Sequence, residues 1–184
     1  MAEFRLEAGR TVMRSWREDD LEPFCAINSD PAVMATLGPL MSQSEVAGLI
    51  ERMQRIEAEN GYTAWVLERR EDGRLIGWCG LIPGTFEPIL GKTEIGWRTA
   101  RNCWGRGYVS EAARAAADWF FVNRDDASLW AITSTGNARS RAVMERLVMS
   151  YRPDLDFDHP RIAAGDPLSK HITYELPRED WQPV

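Results

Sequence analysis

Two glycines, Gly105 and Gly107, stand between a short apolar strand pattern and a helical pattern. Glycine adopts tight-turn conformations at low cost, and the first N–H groups of a helix have no acceptors within the helix. Because the positive end of the helix dipole also favours negative charge, the turn indicates a site for a phosphate or another anion. Arg101 and Arg106 add positive charge beside it. A turn of this kind can also do no more than begin a helix, so both interpretations stay open.

The elements on either side of the turn have clear patterns. Residues 94–98, Glu-Ile-Gly-Trp-Arg, form a short strand pattern ahead of it. After it, apolar residues recur at helical spacing on one face and charged residues lie on the other. No Gly-Lys-Ser/Thr follows as in a P-loop, and no third glycine stands where a dinucleotide fold requires one. The glycines and the helix start by themselves therefore indicate only an anion site.

The run from Trp104 to Val109 reads Trp-Gly-Arg-Gly-Tyr-Val and continues as Ser-Glu-Ala. This run resembles the coenzyme A pyrophosphate loop of the GNAT acetyltransferases, in the branch that includes the ribosomal-protein N-terminal acetyltransferases RimJ and RimL. The family loop reads Gln/Arg-x-x-Gly-x-Gly/Ala, and this chain departs from it at both ends. Trp104 occupies the Gln/Arg position, and Val109 stands where a small residue is usual.

The resemblance extends from about Arg10 to Met149. It includes an Asp-Gly hairpin at residues 72–73, and a Gly-Asn-x-x-Ser-x-x-Val-Met-Glu-x-Leu run at residues 136–147. The tail, with Asp-Phe-Asp-His-Pro-Arg at 156–161, is similar to the ending of a bacterial subgroup. Val148 stands where the family usually has glycine after leucine, which we expect to cost stability at the helix end.

The resemblance implies that acetyl-CoA is the co-substrate and that the acceptor is a primary amine, with a protein or peptide N-terminus among the candidates. In this family the strand at residues 95–99 splays from its neighbour and pairs with the pantetheine arm, and the helices between the first two strands form a wall of the acceptor cleft. The cofactor-binding residues implied are Trp97, Arg98, Thr99, Trp104, Gly105, Arg106, Gly107, Tyr108, Val109, Ser110, Asn137 and Ser140.

Acetyl transfer requires an unprotonated amine, and a base is useful because amines titrate at about 8 to 10.4. Glu94, on the strand that leads into the loop, is the candidate base; alternatively it is a solvated carboxylate or an ion-pair partner. Many relatives place a tyrosine near the leaving thiolate, and the matching residue here is Met144. Ser140 is the candidate hydrogen-bond donor to the sulfur, while Asn137 alternatively only caps the helix.

Arginines cluster around the start of the helix that follows Asn137 and around the glycine turn. We expect five of them to line the anion site; alternatively, they form an ordinary solvated helix face. These are Arg101, Arg106, Arg139, Arg141 and Arg146.

The surrounding elements read as a mixed α/β or α+β fold. Apolar runs at residues 10–16, 63–69, 75–82, 92–99, 129–135 and 171–176 predict strands, and helical patterns follow residues 17, 31 and 108. A further helix is predicted to begin at a cap on Ser42 or Ser44 and to end at Asn60-Gly61, and the last helix spans residues 138–149. We expect a mostly antiparallel sheet of about seven strands flanked by helices, in one domain over residues 1–184. Trp65, Trp78, Trp97 and Trp130 fall inside these strands, where core packing explains them.

Composition limits the function classes. The net charge of −6 argues against binding nucleic acid through the overall field. No apolar run reaches membrane-spanning length, and residues 1–7 lack the apolar stretch of a signal peptide. Three scattered cysteines and two distant histidines predict neither a disulfide framework nor a metal site. We therefore expect a cytoplasmic monomer or homodimer, with His159 and His171 in structural roles.

Two other functions remain open at this point. A non-catalytic acyl-CoA-binding or partner-binding module would keep the loop and lose turnover, and the absent tyrosine favours it. A protein that uses its 8 tryptophans as an exposed interaction surface is less well supported.

Overall fold

A computed structural model describes residues 3–183, so the predictions for residues 1–7 and for one domain over 1–184 extend past the described range. The described part contains one sheet of nine strands. They are β1 (Arg5–Ala8), β2 (Thr11–Arg14), β3 (Ala64–Arg69), β4 (Leu75–Pro83), β5 (Thr93–Thr99), β6 (Ser128–Ser134), β7 (Ser150–Tyr151), β8 (Phe157–Asp158) and β9 (Lys170–Pro177). Their order is β1-β2-β3-β4-β5-β6-β9-β7, with β8 beside β9.

Every neighbouring pair of strands is antiparallel except β5 and β6, which run parallel. The predicted α+β class and mostly antiparallel sheet are confirmed, with nine strands instead of about seven. β1 has only four residues and is largely exposed, and β7 and β8 have two residues each. β1 alternates over only four residues, and β7 and β8 are too short to alternate at all, which is why the sequence did not predict them.

Five helices flank the sheet: α1 (Leu21–Asn28), α2 (Pro31–Met34), α3 (Gln43–Asn60), α4 (Tyr108–Asn123) and α5 (Ala138–Arg146). The sequence signals for α3 are confirmed at both ends. Ser42 and Glu45 form a reciprocal cap at its start, and Gly61 adopts φ 74° at its end. The helix begins and ends where these residues predict.

Two hydrophobic clusters cover the two faces of the sheet. On one face α4 packs through alanines that are fully buried, including Ala112, Ala113 and Ala116. These small side chains let the helix approach the sheet closely, which brings the start of α4 to the ends of the central strands. The other face is covered by α1, α2 and α3, with Phe24 and Val46 in the cluster. The central strands β4 and β5 therefore lie between two layers of helices.

Helix α5 ends earlier than predicted. The sequence predicted helix to residue 149, but the helix stops at Arg146, and Val148 has φ 56°. Its N–H donates to the Glu145 carbonyl at 3.0 Å, and the N–H of Met149 donates to the Met144 carbonyl at 3.1 Å. This is a left-handed helix ending that normally uses glycine, since a β-branched residue is strained there. The expected cost of valine at this position thus has a structural basis.

Candidate active site

Strands β5 and β6 separate where the sheet meets the helices. They pair at one position only, Glu94 with Trp130, so the rest of β5 has no strand partner on that side. β4 pairs with β5 along its full length on the other side. The separation opens one edge of β5 to solvent within the sheet, as the resemblance implied.

A cavity of about 610 Å³ lies beside this opening, against the starts of α4 and α5 and the end of β5. Val33 and Leu37, from α2 and the turn after it, line its far side. Every predicted cofactor-binding residue lines it except Arg106. Those that do are Trp97, Arg98, Thr99, Trp104, Gly105, Gly107, Tyr108, Val109, Ser110, Asn137 and Ser140. Sequence motifs from three separate stretches thus meet in one place, although their binding roles stay predictions.

The turn before α4 leaves a row of backbone donors free. Gly105 and Gly107 have φ values of 71° and 84°, which glycine adopts without the strain of a side chain. Among residues 3–183, the N–H groups of residues 105 to 110 find no acceptor. Gly107 precedes the helix without a side-chain cap. These donors and the positive end of α4 are suited to bind an anion such as a diphosphate.

An ion pair that sequence reasoning missed fixes this turn. The backbone N–H and Nε of Arg10 each donate to the Glu111 carboxylate at 3.0 Å, and Arg10 Nη2 donates to the Arg106 carbonyl at 2.6 Å. Hydrogen bonding to Arg10 also lowers the pKa of Glu111. The partners are 101 residues apart, so no local pattern connects them. The backbone carbonyl of Arg106 takes part in this contact, and Arg106 is not among the residues that line the cavity.

The five predicted arginines do not all reach the cavity. Arg139 and Arg146 line it, whereas Arg101, Arg106 and Arg141 do not. Arg139 lies over the indole of Trp104, 4.0 Å from the ring centroid, and the Trp104 Nε1 donates to the Thr99 carbonyl at 3.1 Å. The tryptophan at the usual Gln/Arg position thus holds the loop against the end of β5.

Helix α5 begins with a side-chain cap. The Asn137 Oδ1 accepts from the backbone N–H of Ser140 at 3.2 Å, which confirms the capping interpretation of Asn137. Both residues also line the cavity. Met144, at the position of the absent tyrosine, is 2% exposed and belongs to the hydrophobic core. Within the described residues, Ser140 is the hydroxyl that α5 brings to the cavity.

Glu94 occupies the one position at which β5 and β6 pair, and it is not among the residues that line the cavity. It is partly buried and makes no ion pair among residues 3–183. Burial raises the pKa of Glu94 from 4.5 to about 8, and the charge of Arg52 on α3 opposes this rise. A carboxyl with a pKa of about 8 is suited to accept a proton at mildly alkaline pH, where it is ionised.

Arg98 has an additional structural role. Its Nη1 donates to the Asn28 side chain on α1, and its Nε has no hydrogen-bond partner in the described part of the chain. Burial lowers the pKa of Arg98 to about 10. The residue lines the cavity as predicted, but its guanidinium also ties β5 to α1.

Beyond Glu94, four rings from separate segments form what we call the aromatic cluster: Phe86, Phe157, His159 and His171. Phe86 and His159 are 4.8 Å apart, and the two histidine rings 4.7 Å apart, between centroids. Burial lowers the pKa of both histidines, which favours the neutral form of each ring. His171, on β9, lies across from Ser134 on β6. The cluster therefore joins the loop after β4 to the segment around β8 and β9.

Comparison with known proteins identifies the family. Residues 10–150 match the family described as acetyltransferase (GNAT) domain. The chain belongs to the GNAT family of acetyltransferases. It is 32% identical over 151 residues to the uncharacterized protein YkkB of Bacillus subtilis, covering 82% of this chain and 87% of YkkB. It is 31% identical over 130 residues to the FsC-acetyl coenzyme A-N(2)-transacetylase of Aspergillus fumigatus, covering 66% of this chain and 52% of that enzyme.

Solved structures share the GNAT fold at low identity. A GNAT-family acetyltransferase from Bacillus anthracis superposes with a TM-score of 0.78 at 21% identity, covering 96% of this chain and 99% of that one. RimL, a ribosomal L7/L12 acetyltransferase, gives 0.77 at 15% identity, covering 95% and 94%. The ribosomal-protein-S5-alanine acetyltransferase from Vibrio fischeri gives 0.75 at 16%, covering 98% and 100%. At these identities the likeness concerns the fold.

The described residues were also compared with the requirements of a membrane span and of a metal site. Within residues 3–183, no helix is long and apolar enough to cross a membrane. In the same range, no three His, Cys, Asp or Glu side chains are grouped to hold a metal ion.

Proposed function

We propose that this GNAT protein transfers an acetyl group from acetyl-CoA to a primary amine. The observation that carries the proposal is the junction of two features: an unpaired edge of β5 beyond Glu94, and the free N–H groups of residues 105 to 110 beside it. The first supports binding of an amide-containing arm along the strand, and the second supports binding of a diphosphate. Acetyl-CoA carries both groups and supplies the activated acetyl group as a thioester.

Each proposed catalytic role follows from the position of a side chain. Glu94 accepts the proton that the acceptor amine loses as its nitrogen bonds to the carbonyl carbon. Backbone N–H groups on the unpaired edge of β5 stabilise the developing oxyanion. The Ser140 hydroxyl donates a hydrogen bond to the sulfur as the carbon–sulfur bond breaks. The products are an N-acetyl amine and free CoA.

The RimJ/RimL-like branch is our proposal for the relationship within the family. The sequence motifs support it, and the folds of RimL and of the S5-alanine acetyltransferase are compatible with it. A peptide or protein N-terminal amine is accordingly among the acceptors to be tested, as are small amines. The FsC relative, named for an acetyl-CoA-dependent N(2) transfer, also supports a nitrogen acceptor. Cytoplasmic location and a monomeric or homodimeric state stay predictions.

A non-catalytic acyl-CoA-binding module is the second candidate. The observation that favours it is Met144, whose buried side chain offers no acid where many relatives have tyrosine. Both functions require acetyl-CoA to bind, and only the enzyme transfers the acetyl group.

A thermal-unfolding titration with acetyl-CoA tests the binding that both candidates need. At about a hundred times its dissociation constant, acetyl-CoA should raise the free energy of unfolding by about 2.7 kcal/mol through mass action. CoA should have a similar effect, and adenine alone much less, because the diphosphate contacts are missing. The absence of any shift with saturating acetyl-CoA and CoA would contradict the proposed function.

A further inference from the structure

Three arginines at the acceptor side of the cleft have no acidic partner. Arg52 and Arg55 lie one turn apart on α3, and Arg161 follows β8. All three are exposed, and none forms an ion pair among residues 3–183. The chain has 28 acidic and 22 basic residues, so acidic partners are plentiful elsewhere. The composition alone therefore does not explain an unpaired positive cluster.

Contacts with the loop after β4 hold Arg161 near the end of that strand. Arg161 Nη2 donates to Thr85 Oγ1 at 3.1 Å, and its guanidinium lies 5.7 Å from the Phe86 ring centroid. Thr85 follows the end of β4, where Ile82 pairs with Glu94. Arg161 thus belongs to the wall formed by the aromatic cluster.

Ile82, the strand partner of Glu94, packs in the same hydrophobic cluster as Met53, which adjoins Arg52 on α3. Neighbouring atoms partly desolvate the solvent-facing guanidinium of Arg52, and this lowers its pKa. The charges of Arg161 and Arg55 lower the pKa of Arg52 further, whereas Glu94 raises it. Because the pKa of Glu94 is itself about 8, this carboxyl is mostly protonated at pH 7 and compensates little of the positive charge. Arg52 is thus repelled by Arg55 and Arg161, and none of the three has a counter-ion within residues 3–183.

We propose that the acceptor amine carries a second, anionic group, a carboxylate or a phosphate, which Arg52, Arg55 and Arg161 bind while the amine reaches Glu94. This inference rests on the proposed function and specifies its substrate class. Guanidinium groups suit both anions, because their planar arrangement of N–H donors pairs with two oxygens at once. An anion between the three arginines would also relieve their mutual repulsion.

Calorimetric binding to the CoA-saturated protein tests the proposal with matched probes. β-Alanine is compared with β-alaninamide, and phosphoethanolamine with ethanolamine, so each pair differs in the anionic group. We expect at least one anionic probe to bind about tenfold more tightly than its neutral partner. Which pair shows the larger difference distinguishes carboxylate from phosphate.

Arginine variants locate the effect. Arg161→Gln and Arg52→Gln should each weaken binding of the anionic probe about fivefold and leave the neutral probe unchanged. Arg74→Gln is the matched control, because it removes the same charge from the exposed β3–β4 turn, where Arg74 pairs with Asp72. This control should change neither affinity, since a distant exposed charge is screened by salt.

The outcomes separate this inference from the proposed function. Equal affinity within both probe pairs, no measurable binding of either anionic probe, or an equal loss in Arg74→Gln would overturn the inference. Tight binding of an anionic amine without release of CoA from acetyl-CoA would support the anion-binding site and contradict the proposed acetyltransferase activity. Loss of the acetyl-CoA thermal shift would contradict the proposed function itself.

Discussion

The two sides of the cleft are built in different ways. The proposed cofactor side contains backbone N–H groups from one continuous turn, residues 105 to 110, and a capped helix start at Asn137. The proposed acceptor side contains side chains from α3, the loop after β4, and the segment around β8 and β9. A site made of backbone suits a constant ligand. Side chains from distant segments can change independently, and this is where selectivity for an amine is expected to arise.

The largest effect is expected at the junction of the two sides. Glu94→Gln should lower kcat/KM about 10²-fold, because it removes the base without changing the size of the side chain. The wild-type kcat/KM should rise with pH as Glu94 loses its proton near pH 8. Ionisation of the amine affects both proteins equally, so the ratio of wild type to variant should rise with pH up to about 8 and stay level above it. The measurement is kcat/KM against pH for both proteins.

Stability provides an independent control on the same variant. Because the pKa of Glu94 is raised in the folded state, its contribution to stability is present below pH 4.5 and lost as pH rises towards 8. Glu94→Gln should therefore gain stability relative to wild type across that range, by on the order of a few kcal/mol. Near-normal activity of the variant at every pH would show that the carboxylate is structural.

The cofactor side is tested next, by changing charge at Gly105. A Cβ at this position meets no atom within 4 Å, and its φ of 71° is one that asparagine and aspartate tolerate better than other residues. Gly105→Asp should weaken acetyl-CoA binding about tenfold relative to Gly105→Asn, since the two side chains are similar in size and differ in charge. Calorimetry of acetyl-CoA binding measures the ratio. Equal affinity of the two variants would place the diphosphate elsewhere.

A smaller effect is expected at Ser140. Ser140→Ala should lower kcat about fivefold, because a neutral hydrogen bond to the leaving sulfur contributes about 1 kcal/mol. The pH profile should keep its shape, and the cap should persist because Asn137 accepts from the backbone N–H of residue 140. Steady-state kinetics together with thermal unfolding test this. A shifted pH inflection would instead assign Ser140 to proton transfer.

The smallest effect concerns the backbone that ends α5. Val148→Gly should raise the free energy of unfolding by about 1 kcal/mol, because φ 56° strains valine and not glycine. The matched control is Val122→Gly, at an exposed position within α4, which should lower stability by about 0.4 kcal/mol. Urea unfolding measures both, and the acetyl-CoA shift should be unchanged in both. Destabilisation by Val148→Gly would mean that contacts of the valine outweigh the strain.

The difference between a site made of one continuous turn and a site made of side chains from distant segments also explains which features the sequence predicted. Gly105, Gly107 and Asn137 lie in short runs whose local geometry depends on neighbouring residues, so the loop and both helix starts were predicted correctly. The separation beyond Glu94 was implied only by the family resemblance. The parallel pairing partner, Trp130, was not identified. The α+β class followed because β3, β4, β5, β6 and β9 carry clear apolar patterns.

The rest of the site depends on long-range contacts. The ion pair between Arg10 and Glu111 joins residues 101 positions apart, and the approach of Arg161 to Thr85 joins residues 76 apart. No periodicity or spacing in a single sequence connects such positions. The raised pKa of Glu94 likewise results from burial in the assembled fold. The acceptor side was therefore predicted only as a region, without its arginines or its aromatic cluster.

Amine-dependent release of CoA from acetyl-CoA is the most direct test of the proposed function. The protein is incubated with acetyl-CoA and the anionic and neutral amines, and free thiol and N-acetyl product are quantified together. The account predicts equimolar CoA and N-acetyl amine, faster with an anionic amine than with its neutral partner, and strongly reduced in Glu94→Gln. Saturable binding of acetyl-CoA with no amine-dependent release of thiol, across small amines and peptide N-termini, would contradict it and identify a non-catalytic acyl-CoA-binding protein.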